Sequence, residues 1–177
     1  RPESHNVVQK LYELGLDVVI VTGDNRASTE RVASRIGVRE LFFEKIPQEK
    51  VEIVKELQSK GRKVAFVGEG VNDGPALAQA DVGIAMGIAG TDVAMETADI
   101  GLLSDDLSKM PHLIKVSRKA IKTIKHNLAF SLGVLAVAVA LTVPGILTPV
   151  SGALLHELSS IPVILNSMRL IAYGPKV

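Results

Sequence analysis

After Asn127 the chain runs for 28 residues, Leu128 to Leu155, without a charged side chain. The first 16 of these, LAFSLGVLAVAVALTV, continue into PGILTPVSGALL before His156. A core helix of a soluble domain rarely extends so far without a polar face, and a bilayer core of roughly 30 Å calls for about 20 apolar residues per helix. Pro144-Gly145 and Pro149 interrupt the stretch. The pattern therefore predicts a helical hairpin, with one span near residues 128–143 and a second near 150–172. Basic residues flank its outer ends, Lys115 to Lys125 before and Arg169 with Lys176 after, whereas the connecting turn has none. The positive-inside rule then places both ends in the cytoplasm and makes the lipid bilayer a partner of a multi-pass segment. On this reading residues 112–127 are a basic cytoplasmic stalk, 128–172 two transmembrane helices, and 173–177 a cytoplasmic tail.

The formal charge of +1 hides this asymmetry, because almost every acidic residue precedes Leu107. The basic run has no interleaved aromatic residues, and aromatics make up 3% of the chain, which argues against nucleic acid as a partner. With no cysteine, these residues offer no disulfide framework, thiolate metal site or thiol nucleophile. The opening RPESHNVVQK is neither a signal nor a transit peptide, since no apolar run follows a basic start.

Residues 1–111 have a different rhythm. Helical periodicity from Val7 to Leu14 stops at Gly15, and the apolar run Asp17–Thr22 follows as a strand. A helix near Ala27–Ile36 closes at Gly37 before the strand LFF, and a helix over Gln48–Ser59 closes at Gly61 before the strand Lys63–Gly68. A helix through Asp73–Gln79, the strand VGIAM, a short helix around Asp92–Thr97 and the strand DIGLL complete the alternation. Short apolar strands separated by helices imply right-handed crossovers and a parallel sheet covered on both faces. The fold class is thus α/β and Rossmann-like, followed by a two-helix transmembrane hairpin.

Ligands of such sheets gather beyond the carboxyl ends of the strands, and three segments there carry polar groups. Thr22-Gly23-Asp24-Asn25 offers a hydroxyl and approachable amides just before a helix, a setting suited to phosphate oxygens and equally to an ordinary helix cap. Lys50, in IPQEK, supplies an ammonium that neutralises a phosphoryl group if its helix aims it at the sheet edge. The loop Gly68-Glu69-Gly70-Val71-Asn72-Asp73-Gly74 combines glycines that permit close approach with acids that are hard ligands for Mg²⁺.

In this order, TGD, Pro-x-x-Lys and Gly-acid-Gly-x-Asn-Asp resemble the haloacid-dehalogenase-type phosphorylation domain of P-type ATPases. The run GIAGTDVAMETADIGLL resembles the stretch after that loop in the heavy-metal-transporting (P-IB) subfamily. The resemblance implies the second half of the phosphorylation domain in residues 1–111, in a carboxy-terminal part of an ATP-driven metal exporter that works through an aspartyl phosphate. It also implies ATP and Mg²⁺ as cofactors. The phosphoacceptor segment, the nucleotide-binding and actuator domains and the earlier membrane helices would be the missing partners, so no independent turnover is expected of these residues. By the same resemblance Thr22 and Gly23 hold the phosphate, Asp24 organises their loop and Lys50 pairs with the phosphoryl charge. Asn72 hydrogen-bonds the phosphate, while Asp73 orients Lys50 and the Mg²⁺ shell. Glu69 falls on the Mg²⁺ ligand, where the family has aspartate; one extra methylene matters to an ion that demands octahedral geometry at roughly 2.0–2.1 Å. Two other readings are a membrane-tethered phosphatase of the same superfamily and a non-catalytic membrane fragment.

The transported ion is addressed by His156-Glu157-Leu158-Ser159-Ser160, since ionisable groups at membrane depth usually line a pathway. Imidazole and carboxylate favour divalent zinc, cobalt, iron or manganese over monovalent copper. The segment resembles the His-Glu-Gly motif of the cobalt- and zinc-type branch, with Leu158 in place of glycine, so His156, Glu157 and Ser160 are the candidate ligands. Copper pumps carry Tyr-Asn in the preceding span, where this chain has Val134-Leu135.

Overall fold

The computed structural model describes residues 3–69, 71–87, 97–102 and 104–173. Of the short helix expected around Asp92–Thr97, only Thr97 falls among them, and the tail beyond Tyr173 lies outside. The chain divides into two compact units, residues 1–111 and 112–177.

In the first unit helices and strands alternate as α1 (Ser4–Glu13), β1 (Val19–Val21), α2 (Arg26–Ile36), β2 (Glu40–Phe42), α3 (Pro47–Ser59), β3 (Ala65–Gly68), α4 (Gly74–Gln79), β4 (Val82–Met86) and β5 (Ile100–Leu102). The helix boundaries follow local chemistry. Asn25 caps α2, its Oδ1 accepting the Ser28 N–H at 2.9 Å, and Gly37 ends that helix in the left-handed region. Pro47 opens α3, and the Glu49 carboxylate accepts the Ile46 N–H at 3.0 Å. That bond, with help from Lys45, holds the Glu49 carboxyl below its ordinary value.

All strand pairs are parallel, as the alternation predicts, but the strands form two sheets rather than one. β1 pairs with β2, in register Ile20 to Leu41, while β4 lies between β3 and β5. Several strands are also shorter than their apolar runs, because pairing rather than hydrophobicity sets their length. β1 begins at Val19, opposite the first paired residue of β2, Glu40. β3 begins at Ala65, because the Val64 N–H goes to the Asp81 carboxylate at 3.0 Å. β4 is the most deeply placed strand, and Ile84, Ala85 and Met86 are buried with Ala76 and Leu77 of α4. Gly83 permits this closeness, since a Cβ there would stand 2.6 Å from the Leu77 carbonyl oxygen.

The second unit holds α6, Pro149–Met168, and all but the first two residues of α5, Met110–Thr142. α5 runs unbroken for 33 residues, about 50 Å, through the stalk and the first expected span alike. Thr148 caps α6, its Oγ1 accepting the Ser151 N–H at 3.2 Å. The helices are joined by Asn127, whose Nδ2 donates to Ser167 Oγ at 2.8 Å while its Oδ1 accepts from Asn166 Nδ2 at 2.7 Å. Lys119 lies 5.3 Å from the centre of the Tyr173 ring. Ser151, Gly152, Leu155, Ser159, Val163 and Asn166 are partly covered on α6, and from Gly152 onward they recur every three or four residues as one packed stripe requires. Elsewhere both helices expose large apolar side chains, among them Leu128, Leu132, Leu135, Leu154, Ile161 and Leu165. Among the described residues one helix, Leu107–Thr142, is long and apolar enough to cross a membrane; α6, which carries His156, Glu157 and Asn166, does not meet that measure.

Candidate active site

The carboxyl ends of β1 and β3 present the polar segments singled out in the sequence. Thr22 continues the β1 ladder, its N–H donating to the Phe42 carbonyl at 2.9 Å, and its Oγ1 accepts the Asp24 N–H at 3.1 Å. This tight turn leaves Gly23 and Asp24 exposed. At the end of β3, Gly68 is followed by exposed Glu69 and by a single 3₁₀ turn, Val71–Asp73, on which Asn72 is exposed.

Lys50 and Asp73 meet. The Lys50 Nζ lies 2.8 Å from Asp73 Oδ1, with side chains only 16% and 18% exposed. The second carboxylate oxygen of Asp73 accepts the Glu69 N–H at 3.3 Å. Gly68 makes room for this arrangement, as a Cβ there would lie 2.7 Å from that of Asp73. A lysine and a carboxylate withdrawn from water and paired in this way are costly to separate, because either alone leaves a poorly solvated charge.

The Thr22–Asp24 turn and the Lys50–Asp73 pair are linked through the start of α3. The Glu44 N–H donates to the Asp24 carbonyl at 2.8 Å and the Lys45 N–H to the Thr22 carbonyl at 3.0 Å, and Lys50 follows on the first turn of the helix. Glu44 achieves this with a positive φ of 55°. Arg26, at the start of α2, covers Phe43 of the same segment at 5.6 Å. Sequence reasoning missed residues 43–45 as a support for the turn. The only signal nearby is Pro47, which marks where α3 starts and says nothing about what the preceding backbone holds.

The fit to Mg²⁺ is partial. Both oxygens of Asp73 already accept bonds, from Lys50 and from the Glu69 amide, so Asp73 suits an organising role better than a direct ligand, and Glu69 is exposed. Among the described residues no group of three or more His, Asp or Glu side chains could hold a metal. His156 and Glu157 are exposed on α6, as is Ser160. Neighbours on a helix point about 100° apart, so His156 and Glu157 do not converge on one ion from a single helix without ligands from elsewhere. A cleft of about 480 Å³ lined by Tyr12, Asp17, Arg39 and Glu40 lies at the amino ends of β1 and β2, away from these loops.

The chain is 45% identical over 177 residues to the cadmium-transporting ATPase of Staphylococcus aureus, a match covering 99% of this chain and 24% of that protein. Along nearly its whole length the chain is similar to heavy-metal-transporting P-type ATPases. It is also 44% identical, over 98% of its length and 24% of the relative's, to the manganese-exporting P-type ATPase of Mycobacterium leprae. A family model for haloacid dehalogenase-like hydrolase matches residues 1–81. The chain resembles the crystal structure of a zinc-transporting PIB-type ATPase in the E2.Pi state with a TM-score of 0.89 at 33% identity, covering 96% of this chain and 28% of that one. It therefore spans about a quarter of the length of the P-type ATPases it matches.

Proposed function

We propose that these residues are part of an ATP-driven pump that exports a divalent transition metal across a membrane through an aspartyl-phosphate intermediate. The observation that carries this reading is the Lys50–Asp73 pair at 2.8 Å, linked to the Thr22–Asp24 turn by the backbone of residues 44–45. Such an arrangement does what phosphoryl transfer asks of a protein, namely to fix oxygens in place and oppose the charge that spreads over them. Thr22 and Gly23 hold phosphate oxygens, Asp24 keeps their turn closed, and Asn72 donates a further hydrogen bond. Lys50 faces the phosphoryl group, held there by Asp73. Glu69 is the residue that would hold Mg²⁺ beside it, and the ion would supply positive charge to offset that of the phosphoryl group. The phosphoacceptor aspartate, the nucleotide site and the remaining membrane helices are supplied by the rest of the pump. β1 and β3 each keep one unpaired edge in the two sheets, and a strand between them would join the sheets into one.

Residues 128–172 then form two transmembrane helices with both flanks in the cytoplasm. His156, Glu157 and Ser160 of the second contribute ligands to the transported ion, completed by other helices. The relatives named above are described as acting on cadmium, manganese and zinc, all met as divalent ions, which agrees with a nitrogen and oxygen donor set.

Phosphoenzyme formation from radiolabelled ATP in the full-length pump tests the site. Lys50→Ala is expected to lower its rate at least 100-fold, and a normal rate would reject the assignment. Exchanging Glu69 for aspartate in the same assay reads the effect of the longer side chain, and equal rates would remove functional meaning from it. Metal uptake into vesicles by His156→Ala and Glu157→Ala pumps tests the cargo site, and unaltered selectivity in both would exclude these residues as ligands.

A further inference from the structure

The first half of α5 carries a second pattern beyond the charge bias that sets its topology. Lys115, Arg118, Lys122 and Lys125 follow one another at intervals of three, four and three residues, which places them within an arc of about 80° on the helix. Thr123, which is buried, and Asn127, which bonds to α6, lie on the other side. Lys115, Lys122 and Lys125 are exposed, and no acidic residue occurs between Asp106 and Glu157 to offset them. Beside the cations runs an apolar seam on which Ile121 is 54% and Leu128 58% exposed. The seam passes directly into the uncharged stretch. Lys122 and Lys125 precede Leu128 by about 9 and 5 Å along the axis, a depth their flexible stems can adjust to reach a headgroup layer.

We propose that this stripe docks anionic phospholipid headgroups of the cytoplasmic leaflet, with Lys122 and Lys125 on headgroup phosphates and Ile121 and Leu128 against the upper acyl chains. The proposal rests on reading α5 as membrane-crossing. Charge complementarity alone would also suit an acidic protein segment. The exposed apolar seam decides for lipid, because it lies alongside the cations and continues into the span, as an acyl chain continues from its headgroup.

The test uses the full-length pump in vesicles of equal parts phosphatidylcholine and phosphatidylglycerol, with a photoactivatable probe of each lipid in turn and adducts mapped by peptide mass spectrometry. Adducts on residues 121–128 are expected to favour phosphatidylglycerol. That preference should fall about fivefold for each of Lys122→Gln and Lys125→Gln, and survive Lys→Arg at both positions. A wild-type ratio near unity, or one that the glutamine variants leave unmoved, would overturn the proposal. Glutamine variants that lower metal-stimulated hydrolysis at an unchanged lipid ratio would assign the stripe to a protein segment instead. Adducts with neither lipid would remove the membrane placement on which the proposal depends. A pump that lacks metal-stimulated turnover yet keeps the lipid preference would count against the proposed function alone.

Discussion

Glu44 is the one residue other than glycine with a positive φ among the described residues, and it sits where the backbone turns to hold the Thr22 and Asp24 carbonyls. A side chain in the left-handed region costs of order 1 kcal/mol, which glycine avoids. Glu44→Gly is therefore expected to raise stability by about 0.5–1 kcal/mol in chemical denaturation. The bulkier Glu44→Val should lose at least as much and, in the pump proposed above, slow phosphoenzyme formation by loosening the turn. Gly83 shows the opposite constraint. A methyl group would meet the Leu77 carbonyl oxygen at 2.6 Å, and a backbone atom inside a packed core yields little. Gly83→Ala is expected to cost about 1–3 kcal/mol, read as a lowered thermal midpoint.

Among the elements, the entry to β3 is held from outside its own ladder. Asp81 bonds to Lys63 Nζ at 2.7 Å, to the Val64 N–H at 3.0 Å and to Gln58 Nε2 at 3.1 Å. These bonds, the lysine's first, hold its carboxyl well below the usual carboxylate range. A depressed folded value means that the stabilisation is complete above the unfolded value near 3.8 and is lost as pH falls through the lower folded value. Hydrogen exchange at the Val64 amide should accordingly be faster in Asp81→Asn than in wild type at pH 6, and the difference should shrink on acidification below about pH 4. Among the described residues of the first unit, the existence and order of the elements were legible in the sequence, because glycines at 15, 37 and 61 punctuate a clear change of period. The division into two sheets was not, since a local pattern says nothing about which strand edges find partners. In the site, Lys50 and the acids of the Gly68–Gly74 loop stood out as residues, and the pairing of Asp73 with Lys50 came from the resemblance. The contribution of residues 43–45 is made by backbone amides, which leave no mark on side-chain identity.

For the molecule as a whole, the second unit has few internal contacts to keep its helices side by side, and Asn127 provides several of them at once through Asn166 and Ser167. Within a bilayer such bonds contribute about 0.6–2 kcal/mol. Asn127→Leu should weaken helix pairing by that amount, measured as a lowered midpoint of unfolding in a titration with denaturing detergent. The unbroken course of α5, from Met110 to Thr142, has a mechanical consequence. A rod without a joint cannot absorb a tilt, so any swing imposed on its basic end must reappear, reversed about whatever fulcrum the headgroups provide, at its apolar tip. In the pump proposed above, replacing Ile124-Lys125 with two glycines is expected to put an elbow in that lever, and metal uptake into vesicles should then fall further than ATP hydrolysis does.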